Sequence, residues 1–361
     1  MIQFDIRPSA SPTSDAEREA ILKSPAFGQV FTDHMITIRW SQDKGWYDAR
    51  LEPYGPFTLD PATSVFHYAQ EFFEGLKAYR QDNGSIVMFR PDANAARFNS
   101  SAKRMAMPEL PEETFIRALE LLVTQDRDWV PQGEGNSLYL RPFMIATQRG
   151  LGVNHPSTDY LFCVIASPAG PYFASGVKPV TVWLSQEYTR AAPGGTGAVK
   201  CGGNYAAAFN AQQQAVDEGC DQVVWLDAAE HRWVEEMGGM NLFFVYRDNR
   251  ILTPALTGTL LPGITRDSLL TLAPDLGITA VEGRIAIDEW QSACAAGELT
   301  EVFACGTAAV ITPVGSVKGE HTAWQIGDGS SGPVTLRLRE ELMGIQYGHR
   351  PDPFAWIHKV C

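Results

Sequence analysis

The longest apolar runs of the chain, "YLFCVIA" (160–166) and "MNLFFVY" (240–246), constrain its fold more than any other feature. They are far too short to cross a bilayer as helices, and an unbroken apolar run of this length reads as a buried strand. Strand-like runs recur at "HMITIRW" (34–40), "SIVMFR" (85–90) and "SLYLRPFMIATQ" (137–148), after an irregular first 30 residues. Two helical segments stand among them: "DANAARFNSSAKRM", with Asp92 as its cap, and "PEETFIRALELLVTQ", opened by Pro111 and repeating Phe115, Leu119, Leu122 and Val123 on one face. "SPAGPYFASG" (167–176) then breaks the pattern with prolines and glycines. This places an N-terminal domain at 1–168, an interdomain loop at 169–177 and a C-terminal domain at 178–361. The second half continues with strand "KPVTVWLS", a helix over 205–218 stopped by Gly219, strand "QVVWLD", and a hairpin turning at Asp248-Asn249. A helix after "LPGITRDSLLTL", a strand pair near 278–287, a short helix in "DEWQSACAAGE" and the strand-turn "EVFACGTAAVITPV" follow. Strands and helices mix without a regular βαβ rhythm, so the expected class is α+β with two α/β domains.

Length and charge narrow the function. A chain of 361 residues suffices for two domains, each with its own core. A net charge of −13 without a Lys/Arg cluster of the kind that binds phosphates argues against a nucleic-acid partner, since such binding needs a basic footprint. The N-terminal "MIQFDIRPSASPTSDAEREAIL" lacks the apolar centre of a secretion signal and carries acidic residues that transit peptides avoid, so the expected location is the cytoplasm, with no membrane association. The six cysteines form no C-x-x-C pair and the seven histidines no H-E-x-x-H, which leaves zinc and metal hydrolysis without support. A small-molecule substrate remains.

The stretch "GGTGAVKCGGNY" sets Lys200 among glycines. A phosphate-binding P-loop needs Gly before the lysine and Ser/Thr after it, whereas the neighbours here are Val199 and Cys201; the G-x-G-x-x-G pattern fails as well. What remains is either an exposed lysine in a turn or an amine held in a partly dry site, able to attack a carbonyl and form a Schiff base. The companions favour the amine. Tyr205 opens the following helix, where its phenol can serve a cofactor hydroxyl. Glu235 and Glu236 in "EEMGGMNLFFV" offer a carboxylate to a protonated pyridine nitrogen, the alternative being a solvated strand edge. Gly263, Ile264 and Thr265 stand at a helix N-terminus, and Thr307 and Ala308 at a strand end, both suited to an anion. Together these are the parts of a pyridoxal 5'-phosphate site.

The ordered blocks "FGQVFTDHM", "HYAQEFFEGLKAYR", "RPDANAARF", "SLYLRPF", "GLGV", "KCGGNY", "EEMGGMN", "LPGITR" and "CGTAAV" resemble the branched-chain amino-acid aminotransferases, class IV pyridoxal-phosphate enzymes of the D-amino-acid aminotransferase-like fold (fold type IV). The resemblance implies two α/β domains with the cofactor in the cleft between them, and a homodimer whose partner completes each pocket. It implies transfer of the amino group of leucine, isoleucine or valine to 2-oxoglutarate, giving a branched-chain 2-oxo acid and glutamate, in synthesis or breakdown of these amino acids. Lys200 would be the Schiff-base lysine, Glu236 the carboxylate at the pyridine nitrogen, and Tyr205 the partner of the ring oxygen. Arg97, Gly263, Ile264, Thr265 and Thr307 would hold the phosphate end. Phe27, Phe73 and Tyr139, with Tyr68, Leu151 and Val153 from the other subunit, would form the apolar wall; Arg141 would take the side-chain carboxylate of glutamate, and Thr307 and Ala308 the α-carboxylate. Lys77 in "FEGLKAY" is a rival amine without flanking glycines and reads as structural. The glycines around Lys200 read as room for a side chain that swings between two bonding states. Ala309 and Thr312 stand where eukaryotic members carry a C-x-x-C pair, and Gly239 where many relatives have Thr. Two alternatives stay open: a D-amino-acid transaminase or aminodeoxychorismate lyase of the same fold, and a cofactor-free binding protein.

Overall fold

The computed structural model describes residues 2–171 and 177–361, so residues 172–176 of the expected interdomain loop lie outside the described residues. The chain groups into two compact units. One comprises Met1–Tyr172, Lys200–Gly202 and Ile345–Cys361; the other comprises Phe173–Val199 and Gly203–Gly344. Thus three residues around Lys200 and the C-terminal segment group with the first half of the sequence.

The first unit is built on a sheet of β1 (Asp5–Ile6), β2 (His34–Ser41), β3 (Gly45–Pro53), β4 (Glu71–Phe73), β5 (Leu76–Arg80), β6 (Ile86–Phe89), β7 (Ser137–Ala146) and β8 (Asp159–Ala169), with a C-terminal strand Ile357–Lys359. Its order is β1-β3-β2-β8-β7-β5-β6 followed by the C-terminal strand, and β4 pairs with β7 beside that path. Helices Pro91–Arg104 and Glu112–Gln125 cover it, and the stripe Phe115, Leu119, Leu122 and Val123 is buried as the helical period requires. The core is an aromatic cluster: Phe98 lies 4.6 Å from Phe72, 5.2 Å from Phe115 and 5.4 Å from Phe162, ring centre to ring centre. Phe72 belongs to β4, and alternation along a strand turns its neighbours Glu71 and Phe73 to the opposite face.

The second unit holds β9 (Val180–Ser185), β10 (Gln222–Leu226), β11 (Val234–Met237), β12 (Met240–Tyr246), β13 (Arg250–Pro254), β14 (Thr279–Gly283), β15 (Leu299–Gly306), β16 (Val310–Gly319) and β17 (Thr322–Gln325). The path β11-β10-β9-β16-β15-β12 closes on itself because β11 also pairs with β12. Closure leaves neither β11 nor β12 an open edge there. Inside lie Leu184, Val224, Leu226, Leu242, Phe244, Val302 and Val314. No helix among the described residues is long and apolar enough to cross a membrane.

Several local expectations change. The first 30 residues contain a helix, Asp15–Leu22, whose N-terminus is capped by the Ser14 hydroxyl accepting from Glu17 N–H. Asp92 does not cap its helix: Pro91 takes the first position, and Asp92 stands in the first turn near the positive end of the helix dipole. β8 continues through Pro168 to Ala169, held by pairing with Leu138 and Ser137. The helix expected over 205–218 is two, Gly202–Ala206 and Phe209–Asp217. Ala208 N–H bonds back to Tyr205, tightening the turn that divides them. The region 278–287 holds one strand, β14, on β13; Ala286 makes only an isolated bridge to Trp233.

The loop that leads into β11 is organised by one carboxylate. Asp227 accepts N–H bonds from Ala229 (3.2 Å), Glu230 (2.8 Å), Arg232 (3.0 Å) and Trp233 (2.8 Å). Burial works to raise its pKa, but these four bonds outweigh it and bring the pKa down to about 2. A depressed carboxyl pKa stabilises the fold fully above its ordinary value of 3.8 and loses that contribution as pH falls toward 2. Asp227→Ala is therefore expected to cost about 1–2 kcal/mol in urea unfolding at pH 7. The difference from the parent protein should shrink below pH 4 (roughly where the unfolded carboxyl titrates), and a pH-independent difference would refute the assignment.

Candidate active site

Glu236, on β11 of the closed ring of strands, is 1% exposed, the lowest exposure of any charged residue of the second unit among the described residues. A lone carboxylate there would be prohibitively desolvated, and three partners compensate it. Arg190 Nη2 stands 2.7 Å away, Leu261 N–H donates at 2.9 Å, and the Asn241 side-chain amide donates at 3.1 Å. The Asn241 contact follows from register: Gly238-Gly239 form a tight turn with φ +55° at Gly238, which sets Glu236 opposite Asn241. Glu235, turned the other way along the strand, is also buried and accepts from the Thr259 hydroxyl; burial pushes its carboxyl up. Neither glutamate is a solvated strand edge.

Asn241 carries the arrangement outward. Its amide also donates to Leu261 O at 3.0 Å, and its Oδ1 lies where a Cβ on Gly263 would stand, 2.0 Å from it. Gly263 is the N-cap of helix Ile264–Asp275, whose first-turn N–H groups, those of Ile264 and Thr265, have no carbonyl four residues back to bond. Asn241 pairs in register with Cys305, and Thr307 and Ala308 occupy the turn that follows β15. Tyr205 packs against Gly239, its ring and hydroxyl 3.6 Å from where a Cβ would be. A side chain at 239 would meet that phenol at ordinary contact distance. Tyr205, Glu236, Gly263, Ile264 and Thr265 are thus linked through two glycines and one asparagine, with the Thr307-Ala308 turn adjoining.

In the first unit the organising group is the Phe73 ring. The Lys200 amine stands 5.2 Å from its centre and the Arg141 guanidinium carbon 4.5 Å. Arg141 donates to the Tyr139 hydroxyl at 3.2 Å, and Phe27 meets Tyr139 edge-on at 4.9 Å. Tyr139 and Arg141 share a side of β7, as their two-residue spacing requires. Arg141 Nε is buried and has no hydrogen-bond partner among the described residues, a donor left for an anion. Arg97 is held instead by Glu74, itself fully buried, at 2.8 Å through Nε and 2.7 Å through Nη2. Tyr68 donates to the Leu151 carbonyl, and Tyr68, Leu151 and Val153 are all exposed, the last two by 63% and 68%. Lys77 lies in β5, 8% exposed and paired with Tyr139.

Of the glycines near Lys200, Gly197 and Gly202 stand at close approaches, whereas Gly203 has nothing within 4 Å of where a Cβ would stand. A Cβ at Gly197 would lie 2.3 Å from Thr259 O, and one at Gly202 would lie 2.5 Å from Glu71 Oε1. Arg190 donates to both Gly197 O (3.3 Å) and Thr259 O (2.6 Å), so the charge that neutralises Glu236 also holds this approach together. Asn204 adds bonds to Thr196 O and Val199 O, both 2.8 Å.

The profile of the family described as "Amino-transferase class IV" matches residues 71–317, more than half of the chain. The chain belongs to the class IV aminotransferases. It is 60% identical over 359 residues to the probable branched-chain-amino-acid aminotransferase of Streptomyces coelicolor, covering 99% of each chain. It is 58% identical to the branched-chain-amino-acid aminotransferase of Mycolicibacterium smegmatis, covering 99% of this chain and 98% of that one. Among solved structures it is similar to the branched-chain amino acid aminotransferase from Escherichia coli, with a TM-score of 0.72, 30% identity, and coverage of 91% of this chain and 99% of that one.

The donors of this class IV aminotransferase fit a phosphorylated pyridine aldehyde in kind: a buried carboxylate for a ring nitrogen, a phenol for a ring oxygen, helix N–H groups for phosphate and an amine for the aldehyde. Three contributors were not singled out from the sequence. Arg190 is signalled only by the need of a buried carboxylate for a cation, Asn241 only by being a polar residue in an apolar strand, and Glu71 by its two-residue spacing from Phe73. Gly263→Ala is expected to push Asn241 off Glu236 and Leu261, lowering stability by about 2–3 kcal/mol in chemical denaturation and weakening pyridoxal phosphate affinity in parallel. Unchanged stability and affinity would show that Asn241 does not couple the helix N-terminus to the carboxylate.

Proposed function

We propose that the chain is a pyridoxal-phosphate-dependent transaminase that moves the amino group of leucine, isoleucine or valine to 2-oxoglutarate, giving the branched-chain 2-oxo acid and glutamate. The observation that carries the reading is the cluster at Phe73, where an amine and an arginine with an unpartnered Nε meet an otherwise apolar wall of Phe27, Phe73 and Tyr139. Such a wall suits an alkyl side chain, and the arginine lets the same pocket accept the carboxylate of glutamate. The relatives at 58% and 60% identity carry the branched-chain name.

The cofactor, when bound, supplies an electron sink that weakens the substrate Cα–H bond. Lys200 would hold it covalently and, once displaced by the incoming amino group, would take the substrate Cα proton on its freed amine and return it to the cofactor. Glu236 keeps a proton on the ring nitrogen, its own charge secured by Arg190. Tyr205 donates to the ring oxygen, and Ile264, Thr265 and Thr307 bind the phosphate with Arg97, whose guanidinium Glu74 orients. Thr307 and Ala308 receive the α-carboxylate. The working assembly is a homodimer in the cytoplasm, in which the exposed Leu151 and Val153, with Tyr68, cover the partner's pocket.

Leucine with 2-oxoglutarate should yield glutamate, and borohydride reduction of the holoenzyme should label Lys200. Lys200→Ala should lose at least about a thousandfold in kcat. Turnover of D-alanine without leucine turnover would make the chain a D-amino-acid transaminase instead, and a label on Lys77 would displace Lys200.

A further inference from the structure

Lys200–Gly202 group with the first unit, although Val199 before them and Gly203 after them group with the second. Two hydrogen bonds from β4 hold these three residues. Phe73 N–H donates to the Lys200 carbonyl at 2.9 Å, and the Gly202 N–H donates to Oε1 of Glu71. The second bond is charge-assisted and is the stronger kind. It also requires glycine at 202, where any Cβ would collide with the accepting carboxylate oxygen.

β4 is a firm base for such a hold. Phe72 is fully buried against Phe98, and the strand pairs with β7 through Glu71–Ile145, Phe72–Met144 and Phe73–Phe143. The segment it holds leads into helix Gly202–Ala206, and Gly202 and Gly203 in succession give that junction little intrinsic backbone preference of its own. The Lys200 side chain has four rotatable bonds, so where its amine reaches depends on where its backbone is pinned.

We propose that Glu71 is a positioning residue for the Lys200 amine: its carboxylate clamps the Gly202 amide and thereby fixes the backbone from which the lysine projects over Phe73. The inference rests on Lys200 being the reactive amine. Burial pushes the Glu71 carboxyl up, while the Gly202 N–H and the Arg141 charge act in the other direction. Glu71 is thus held against the Gly202 N–H despite the desolvation that burial imposes on it. Its geometry toward Gly202 is what it contributes.

Three variants of the holoenzyme separate the possibilities. Glu71→Gln keeps an oxygen that accepts from Gly202 N–H and removes the charge; Glu71→Asp keeps the charge and loses the reach; Glu71→Ala loses both. Amide hydrogen exchange of the peptide spanning 200–203 should quicken by about tenfold in the Asp and Ala variants and stay near the parent rate in Gln. The value of kcat should fall by about tenfold in Asp and Ala with KM for leucine changing by less than about twofold, and Gln should recover most of it. The visible absorbance of the bound cofactor should titrate at a displaced pH midpoint in Asp and Ala only. The Gln variant should melt no lower than the parent at neutral pH, and if Ala does not fold, Asp carries the test. Parent-like exchange and kcat in Asp and Ala would overturn the proposal, and so would a Gln variant as impaired as Ala, since the charge near Arg141 would then be what matters. Borohydride mapping of the parent enzyme distinguishes the two failures. A label away from Lys200 sinks the proposed function, whereas a label on Lys200 with unaffected Glu71 variants sinks only the clamp.

Discussion

The second unit depends on the ion pair between Arg190 and Glu236. Both side chains are withdrawn from water, 9% and 2% exposed, and they meet at 2.7 Å. Removing one partner of such a pair leaves an uncompensated buried charge, which typically costs about 3–5 kcal/mol. The geometry explains why this protein keeps so expensive an arrangement. Arg190 also takes the carbonyls of Gly197 and Thr259, and Glu236 also takes the N–H of Leu261, so a single pair of charges draws the run before Lys200 and the run before Gly263 onto the same strand. The charge that a ring nitrogen would meet and the loops that frame it are one construction.

The first unit solves a different problem, which is to place two cations and several aromatic rings together without burying the cations unpartnered. Its answer is a short strand. Phe72 anchors β4 in the aromatic core, and alternation sends Glu71 and Phe73 out to face Lys200 and Arg141. The ring offers both cations its face, an attraction worth about 0.5–2 kcal/mol depending on desolvation. Arg97 is treated otherwise: Glu74 neutralises it by a forked pair and Asn94 donates to the same carboxylate at 2.7 Å, so its position is set within the first unit.

Much of the fold is legible because periodicity and punctuation act locally. The apolar runs at 160–166 and 240–246 are β8 and β12, the stripe from Phe115 to Val123 is a buried helix face, and Asp248-Asn249 turn a hairpin with Asn249 at φ +63°. The misreadings also have local causes. Ser14, which caps Asp15–Leu22, stands in a polar N-terminus with no apolar stripe to announce a helix, and the alanine-rich stretch after Tyr205 conceals the break at 207–208. β4 and β5 fall in "EFFEGLKAYR", whose charges and glycine mask the strand signal.

What the sequence by itself determined is the inventory: an amine at 200, a carboxylate at 236, a phenol at 205, glycine before a helix at 263, and a tyrosine and an arginine two apart in a strand. Residue type and short-range spacing fix these, because they follow from side-chain chemistry and from the periods of helix and strand. Only the tertiary structure decided the pairings. Arg190 and Glu236 are 46 positions apart, Glu71 and Gly202 are 131 apart, and neither partner carries a mark of the other. Such contacts arise when strand register and ring closure bring distant backbone together, and the need of a buried charge for a counter-charge then selects which residues can stand there.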